Sequence, residues 1–499
     1  MVISNFTKPS VSARRADFFA VGVIVLYCLA YAAIRLCISP SMEMSETEQF
    51  LDASGFSLGY SQQAPLYSWI VRWTSLFFGM NIVTLIIIKY SIIFSFYFFF
   101  FLIARSLWNE KTSLLITGSL LLFPTFSYEA HRDLTHTMLV SAMALITLFL
   151  YIRIMREGKT VYYLLIGICA GLGILSKYNF IFFLAALLSA SLSFSEGRRV
   201  VIDRRISISV LCAVFVLLPH LVWLARENFV SVHYALARSE AAAPAFNRLP
   251  RIFSVVCLSY LEVLLFFSVV ALTFRRYFSK DENTDDALRR LLRWLALYGL
   301  LAPLFAIAFL QSGNFSSRWL APVLFTVPLA MFSLISVNED KTVFRLFGYL
   351  CGFIAVFVLL VRTLIGFFPD VVGKVERIHV PYRALSQQLT DRLKENGVYD
   401  FHDLVIIADS GDEHIAANIM ASMPATKFLP LEKFVVESSA RENMTGVLVC
   451  DTSRHGLAAA DKVISAFPSS SPLITLKSPY LHSVKFPPYA LGIVIIPAM

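Results

Sequence analysis

The sequence predicts a polytopic α-helical membrane protein with about eleven transmembrane helices and a small C-terminal α/β domain. Of its 499 residues, 57% are hydrophobic and 15% are charged, whereas soluble domains usually carry about 25% charged residues. Apolar runs long enough to cross a bilayer recur as far as residue 367. Beyond that point, strand patterns alternate with helix patterns, which is typical of a small α/β domain.

Eleven membrane spans are predicted from the apolar runs, of which the third, fifth and sixth are short. They cover residues 18–38, 80–104, 112–126, 134–153, 160–176, 178–195, 206–225, 252–274, 292–311, 319–337 and 345–367. No small-residue cleavage site follows the first run, so we interpret it as a retained helix and not as a signal peptide. The seven cysteines have no metal-ligand spacing and are interpreted as packing residues.

The distribution of Lys and Arg among the loops predicts the orientation of the chain. Most of them lie in loops that share one side of the membrane with the N-terminus, which indicates that this side is the cytoplasm. Eleven spans then place the C-terminus outside, in the periplasm if the membrane is a bacterial inner membrane. The net charge of +9 is explained by this bias and gives no argument for nucleic-acid binding.

The predicted membrane domain is 1–368, with a first periplasmic loop at about 40–79, and the soluble domain is 369–499. In the soluble domain the segments DLVIIAD and TGVLVCD have the continuous apolar pattern of buried strands. PYRALSQQLTDRLKENG and EHIAANIMASM have helix patterns. There is no Gly-rich phosphate loop in this domain. The domain is expected to hold a bulky acceptor or to close over a site in the membrane domain.

Under this topology the polar clusters lie mostly in the outside loops, where ATP and nucleotide sugars are not available. A group-transfer reaction there needs a donor already carried in the membrane. Transfer of a sugar from a lipid phosphate needs cations to stabilise the leaving phosphate and a carboxylate to accept the proton of the attacking hydroxyl. The chain offers both at one predicted membrane face: Glu46, Glu48, Asp133, Lys89, Arg132, Lys177 and Arg318.

Five motifs in matching order carry a resemblance to a known family. They are MSETEQ, GYSQQAPLYSW, RDLTHT, SKYN and RWL. The chain resembles the GT-C superfamily of lipid-phosphate-sugar glycosyltransferases, which includes the protein O-mannosyltransferases and the aminoarabinose transferases of lipid A. It is more similar to bacterial members that add galacturonic acid to the core or lipid A of lipopolysaccharide.

The resemblance implies a GT-C fold and an inverting transfer of one sugar, with galacturonic acid as the best candidate. The donor is then a polyprenyl phosphate sugar, and the acceptor is lipid A or the lipopolysaccharide core. Membrane lipids are further partners, and no metal or other cofactor is required. Where the family usually has an Asp-Glu pair, this chain has Ser45 and Glu46. Glu46 is therefore the predicted catalytic carboxylate, which deprotonates or orients the acceptor hydroxyl. Glu48 is the fallback for that role and is otherwise expected to bind substrate.

Each candidate residue also has a plainer interpretation. Glu46 and Glu48 could be solvated loop acids, and Asp133 could be a helix N-terminal acid stabilised by the dipole. The resemblance favours Asp133 as a second catalytic residue, which orients substrate hydroxyls. Arg132 and His136, in the same motif, are expected to bind substrate.

The remaining predicted substrate-binding residues are three cations and one aromatic. Lys89 lies within a span, where a lysine is costly and is functional by default, although it could extend to the interface. Lys177 and Arg318 could be interfacial anchors, but both suit a phosphate or an acidic sugar. Tyr60 could stack on a sugar or belong to the aromatic belt.

Two other function classes stay open at this point. One is a transporter or flippase of lipid-linked sugars, but the chain shows no inverted repeat or paired broken helices. The other is a noncatalytic envelope assembly factor whose outer domain binds a partner. The variant Glu46→Gln distinguishes a transferase from a scaffold. It should abolish the activity of a transferase and leave the function of a scaffold almost unaffected.

Overall fold

Helices make up most of the residues that the computed structural model describes up to Phe367. The structure describes residues 11–60, 63–231, 233, 248–274, 287–310, 317–335, 341–423, 426–436, 444–452 and 454–497. The helices before the sheet are α1 Val11–Ile38, α2 Met44–Asp52, α3 Leu66–Phe78, α4 Ile82–Arg105, α5 Glu110–Gly118, α6 Ala130–Asp133, α7 Thr135–Glu157, α8 Thr160–Ser176, α9 Phe180–Leu192, α10 Ser195–Ile202, α11 Ile206–Arg226, α12 Arg248–Phe274, α13 Ala287–Leu310, α14 Ala321–Leu324, α15 Thr326–Phe332, α16 Lys341–Phe367, α17 Pro369–Val372 and α18 Tyr382–Glu395.

Within the described residues, five helices are long and apolar enough to cross a membrane. They belong to α1, α4, α7, α11 and α16. A sixth crossing results if α9 and α10, which meet at an angle of 118°, form one span. The chain is thus a multi-pass membrane protein, and the number of eleven spans stays a prediction.

Two predicted spans are segmented in the structure. In the span 112–126, the helix α5 ends at Gly118. A 3-10 helix over Ser119–Leu122 follows, and then a π-helix over Thr125–Glu129. Pro124 precedes the π-helix, and because proline has no N–H it cannot continue an α-helical hydrogen-bond ladder. The span 319–337 is likewise divided, into a 3-10 turn over Ser317–Trp319 followed by α14 and α15.

The predicted first loop contains two helices that the sequence analysis did not assign. The N-terminus of α2 is closed by a capping box, in which Glu43 and Glu46 each accept from the backbone N–H of the other. The second helix, α3, is apolar but has only 13 residues, which is too short to cross a bilayer.

The C-terminal part forms a five-stranded mixed sheet in the order β2-β1-β3-β5-β4. Its strands and helices are β1 Leu404–Ala408, α19 Glu413–Ser422, β2 Lys427–Pro430, α20 Leu431–Val436, β3 Thr445–Asp451, α21 Arg454–Ala466, β4 Ile474–Ser478 and β5 Tyr489–Ile496. β1 pairs in parallel with β2 and β3, whereas β5 is antiparallel to β3 and β4. The predicted strands β1 and β3 and the predicted helices α18 and α19 are all present. The continuous burial of β1 explains its uninterrupted apolar pattern.

The chain divides into two compact units. The first consists of Met1–Ala30, Ser57–Tyr67 and Lys89–Val358. The second consists of Tyr31–Phe56, Ser68–Ile88 and Leu359–Met499, so it combines the sheet with most of the predicted first loop. The domain boundary after residue 368 stays a prediction.

Candidate active site

A break in the helical backbone exposes polar groups at the RDLTHT motif of the first unit. The short helix α6 ends at Asp133, Leu134 has φ −116° and ψ 55°, and α7 begins at Thr135. The last carbonyls of a helix have no intrahelical donor. One of them, the carbonyl of Arg132, accepts a hydrogen bond of 3.0 Å from the Lys89 ammonium.

Lys89 is buried deeply for a charged side chain. It lies on α4 with 3% of its surface exposed, about 10 Å along the helix from Ile82. Burying an ammonium group costs several kcal/mol unless opposite partial or full charges surround it. The carbonyl of Arg132 supplies part of that compensation. The low exposure shows that the side chain does not extend to the solvent.

The SKYN motif meets the RDLTHT motif at the start of α7. His136 is buried, and its Nδ1 donates to the carbonyl of Ser176 at 3.3 Å. The Lys177 ammonium donates to Thr137 Oγ1 at 2.9 Å. Lys89 and Lys177 therefore bind consecutive parts of one helix break. We call Lys89, Arg132 and Lys177 the cationic cluster, and His136 lies beside it.

Two further side chains border the cationic cluster. The ring of Tyr67 lies 5.3 Å from that of His136, measured between centroids. Asp133 is half-buried in the helix break itself. Arg132 is also half-buried, and its guanidinium lies 3.4 Å from Glu129.

The predicted sugar-stacking residue Tyr60 belongs to a segment that α11 holds in place. His220 Nδ1 donates to the carbonyl of Leu58 at 2.9 Å, and His220 Nε2 lies 3.0 Å from the hydroxyl of Tyr178. The carbonyl of Tyr60 accepts from Ser231 at 2.8 Å. The SKYN turn and the Gly-Tyr segment thus share His220 as a partner, and Tyr60 is half-buried beside them.

Arg318 lies in a 3-10 turn of the first unit and is exposed. Its neighbour Trp319 stacks on Phe182 at 6.0 Å and accepts a long hydrogen bond of 3.5 Å from Asn179 through its carbonyl. Because Asn179 ends the SKYN motif, the RWL motif packs against the turn that carries Lys177.

Glu46 belongs to the second unit, where it forms a buried ion pair. Its Oε2 accepts from Arg35 at 2.6 Å and from the backbone N–H of Glu43 at 2.9 Å. Glu46 and Arg35 are 2% and 3% exposed. Arg35 also donates to the carbonyls of Ser39 and Ser41. Two donors hold this carboxylate in one position, so the geometry favours an orienting role for Glu46 over proton abstraction.

The other acids of α2 lie on the far side of the helix from Glu46, because Glu48 is two residues and Asp52 six residues further along. Glu48 and Asp52 are four residues apart and half-buried. Burial and then the charge of Glu48 raise the pKa of Asp52 from 3.8 to about 7, against the opposing effect of Ser68, whose hydroxyl lies 3.5 Å from Asp52. Ser68 also donates to Gln49 at 2.9 Å. A carboxyl group with a pKa near 7 suits proton transfer at neutral pH.

Sequence reasoning missed Arg35 and set no role for Asp52. A signal for Arg35 was present, because the rule that singles out a lysine inside a span applies equally to an arginine near the end of α1. For Asp52, the spacing to Glu48 was visible, but its burial was not. Among the described residues, no group of three His, Cys, Asp or Glu side chains is arranged to hold a metal ion.

Comparison with known proteins supports the predicted resemblance. Residues 62–223 match the family described as Dolichyl-phosphate-mannose-protein mannosyltransferase. The chain is 27% identical to the lipopolysaccharide core galacturonosyltransferase RgtB of Rhizobium johnstonii over 425 residues, which is 84% of each protein. It is 26% identical to RgtA of the same organism over 415 residues, covering 81% of this chain and 80% of RgtA.

Solved structures show the same fold. The chain is similar to ArnT from Cupriavidus metallidurans bound to undecaprenyl phosphate, with a TM-score of 0.56 at 12% identity, over 95% of this chain and 97% of ArnT. The apo state of that protein gives a TM-score of 0.55 at 11% identity, over 95% and 98% of the two chains. The resemblance to GT-C lipid-phosphate-sugar glycosyltransferases, and more closely to lipopolysaccharide galacturonosyltransferases, is therefore confirmed, and it supports a membrane glycosyltransferase.

Proposed function

We propose that this protein is an inner-membrane glycosyltransferase that moves a single galacturonic acid from a polyprenyl phosphate donor to lipid A or the lipopolysaccharide core. The reaction takes place on the periplasmic side. The relatives named for galacturonosyl transfer support the sugar and the acceptor. The structural neighbour that binds undecaprenyl phosphate supports the donor.

The cationic cluster is the observation that carries the proposal. Two lysines of distant helices are brought to one helix break, and one of them is almost fully buried. Two ammonium groups at one place suit an anionic ligand, and the donor phosphate is that anion. Lys89 and Lys177 hold the phosphate, and Arg318 adds its guanidinium from the adjacent turn. Their charges stabilise the negative charge that the phosphate gains as the sugar leaves.

The acids of the second unit act on the acceptor. Glu46, fixed by Arg35, accepts a hydrogen bond from a neighbouring hydroxyl of the acceptor sugar and so orients that sugar. The proton of the attacking hydroxyl is taken by another carboxylate of the same helix, for which Asp52 has the suitable pKa and Glu48 is the alternative. Asp133 and Tyr60 orient the sugar, and Arg132 and His136 contribute to its binding.

The chemical step is an in-line displacement with inversion. The acceptor oxygen forms a bond to the anomeric carbon while the bond between that carbon and the phosphate oxygen breaks. The bonding electron pair leaves with polyprenyl phosphate, and the hydroxyl proton goes to the carboxylate. No residue becomes covalently modified in this scheme.

Mass spectrometry of lipid A and core oligosaccharide from four strains tests the proposal. One carries the gene, one lacks it, one carries Glu46→Gln and one carries Glu395→Gln as control. Glu395 is an exposed acid at the end of α18. Loss of one hexuronic acid mass in the deletion and Glu46→Gln strains, with the mass retained in the control, is the expected result. Protein levels in the membrane are measured in each strain.

The other outcomes have distinct meanings. Loss of a different sugar mass keeps the mechanism and corrects the substrate. Loss in the deletion strain alone removes Glu46 from the site and favours a transport role or another acid. No change in any strain overturns lipopolysaccharide as the acceptor.

A further inference from the structure

A cavity of about 480 Å³ with both polar and apolar walls lies within the second unit. Its walls are the segment Pro40 to Met42, the start of α4, and one face each of α18 and α19. Cavities of about 300–1,000 Å³ are the usual size for small-molecule sites. The volume therefore suits one or two sugar rings.

Hydrogen bonds inside the second unit fix the walls of this cavity before any ligand binds. Asn418 on α19 accepts from the backbone N–H of Met42 at 2.7 Å. The hydroxyl of Ser41 donates to the carbonyl of Val380 at 2.7 Å, just before α18. A preformed wall lowers the entropic cost of binding a polar ligand.

The lining has the composition that carbohydrates select. Ser386, Gln387 and Thr390 lie on one face of α18, and Ser422 lies on α19. Hydroxyl and amide groups both donate and accept hydrogen bonds, which matches the alternating needs of sugar hydroxyls.

One of these groups is buried without a partner. The hydroxyl of Ser386 makes no hydrogen bond to any described residue, although the side chain is only 2% exposed. A buried hydroxyl without a partner is costly unless a ligand or water completes it. It lines the cavity, so a ligand there can supply the missing bond.

A cation at the cavity defines the class of sugar. Arg383 is exposed, one turn before Gln387, and lies within 4 Å of no acidic side chain among the described residues. A guanidinium binds a carboxylate through two parallel hydrogen bonds. The adjoining segment leads directly into α2, with Met42 four residues before Glu46.

We propose that this cavity is a binding site for a carboxylate-bearing sugar of the acceptor glycan, held by Arg383 and Ser386. The identity of the acceptor rests on the proposed function. The existence of the binding site does not depend on the proposed function. It extends the acceptor contact beyond the reacting hydroxyl to a neighbouring sugar residue. The substrate class that it selects is an acidic oligosaccharide.

Binding to the purified full-length protein in detergent provides the first test. The probes are digalacturonic acid and its carboxyl-free counterpart digalactose, measured by titration calorimetry. We expect digalacturonic acid to bind, and Arg383→Gln to weaken that binding about tenfold, since one charge-assisted pair is lost. Ser386→Ala should weaken it less. Arg392→Gln, an exposed arginine on the same helix outside the cavity, is the matched control and should bind as the wild type does.

Transfer kinetics separate the cavity from the proposed function. Arg383→Gln should raise the KM for the lipopolysaccharide acceptor about tenfold and leave kcat and the KM for the donor unchanged. A rise in the donor KM alone places the donor sugar in the cavity and overturns the inference. Equal binding of digalactose, or equal loss in Arg392→Gln, also overturns it. If the wild type transfers no sugar but binds digalacturonic acid through Arg383, the proposed function fails and the binding site stands.

Discussion

The buried pair of Glu46 and Arg35 poses a question that a single substitution cannot answer. Glu46→Gln leaves the Arg35 charge buried without its partner, which typically costs about 3–5 kcal/mol. A loss of transfer could then come from a loss of folded protein. The double variant Arg35→Met with Glu46→Gln removes both charges, and replacing both members of a buried pair is often close to neutral.

We expect Glu46→Gln to lower Tm and abolish transfer, and the double variant to regain most of the Tm while remaining inactive. The reason is that the acceptor hydroxyl needs the carboxylate, whereas folding needs only the absence of an unpaired charge. Thermal unfolding in detergent and the transfer rate are measured on the same preparations. Recovery of transfer in the double variant would show that Glu46 acts only on the structure.

Asp52 gives a prediction about pH. Its pKa is raised to about 7 in the folded protein, so the folded state binds the proton more tightly than the unfolded chain does. Ionised Asp52 therefore opposes folding, and its unfavourable contribution grows as pH rises from about 4 to 7 and is constant above. Asp52→Asn should raise Tm relative to the wild type, by a margin that widens between pH 5 and 7.

The pH dependence of transfer checks the chemical role of the same residue. If Asp52 takes the proton, the transfer rate of the wild type rises through pH 7, and Asp52→Asn lacks this rise and has a low rate throughout. Glu48→Gln should shift the rise to lower pH, because the charge of Glu48 is one cause of the raised pKa. Asp391→Asn, at an exposed position of α18, is the control. An unchanged rise in Asp52→Asn would assign the proton to another group.

At the scale of elements, the packing of α8 against α11 positions the SKYN turn. Gly167 and Gly171 lie four residues apart on α8, a spacing that lets membrane helices approach closely. A Cβ at Gly167 would lie 2.3 Å from the backbone carbonyl oxygen of Ser209, and one at Gly171 would lie 2.8 Å from Val216. α8 ends at Ser176 beside Lys177, and α11 carries His220. The contact between the two helices therefore determines the positions of Lys177 and His220.

Gly167→Ala should therefore lower stability by about 1–3 kcal/mol, the usual cost of overpacking, and should also reduce transfer. Gly22→Ala on α1 is the control, since a Cβ there meets nothing within 4 Å. Tm and donor KM are the measurements, and a raised donor KM is expected because Lys177 moves. If Gly167→Ala and Gly22→Ala had the same Tm and the same donor KM, the contact between α8 and α11 would not determine the geometry of the donor site.

The elements that sequence analysis found are those whose apolar pattern is continuous along their length. The span 134–153 corresponds to α7 and the span 206–225 to α11, because both are continuous apolar runs. The strand β1 is buried at every position and was found for the same reason. The prediction of residues 112–126 as one continuous helix was wrong, because hydropathy does not report the change of hydrogen-bond pattern around Pro124.

At the scale of the whole molecule, the motifs could be found from the sequence, but their partners could not. RDLTHT and SKYN were each singled out, and yet the bond between Lys177 and Thr137 joins residues 40 apart in the chain. Such a bond depends on how α7 and α8 pack, which no local pattern encodes. Arg35 was missed because a single charge near a helix end resembles an ordinary interfacial residue.

The direction in which the chain crosses the membrane decides whether the proposed donor is the right one. An odd number of crossings from a cytoplasmic N-terminus places residue 499 outside, as the bias of Lys and Arg predicts. Alkaline phosphatase needs an oxidising compartment for its disulfides, so its fusion after residue 499 should be active. The same enzyme inserted after Asp203, in a predicted cytoplasmic loop, should be inactive, and a fluorescent protein should show the opposite pattern.

An inactive C-terminal fusion would mean an even number of crossings. The sheet would then lie in the cytoplasm, where nucleotide sugars are available and a lipid-linked donor is not required.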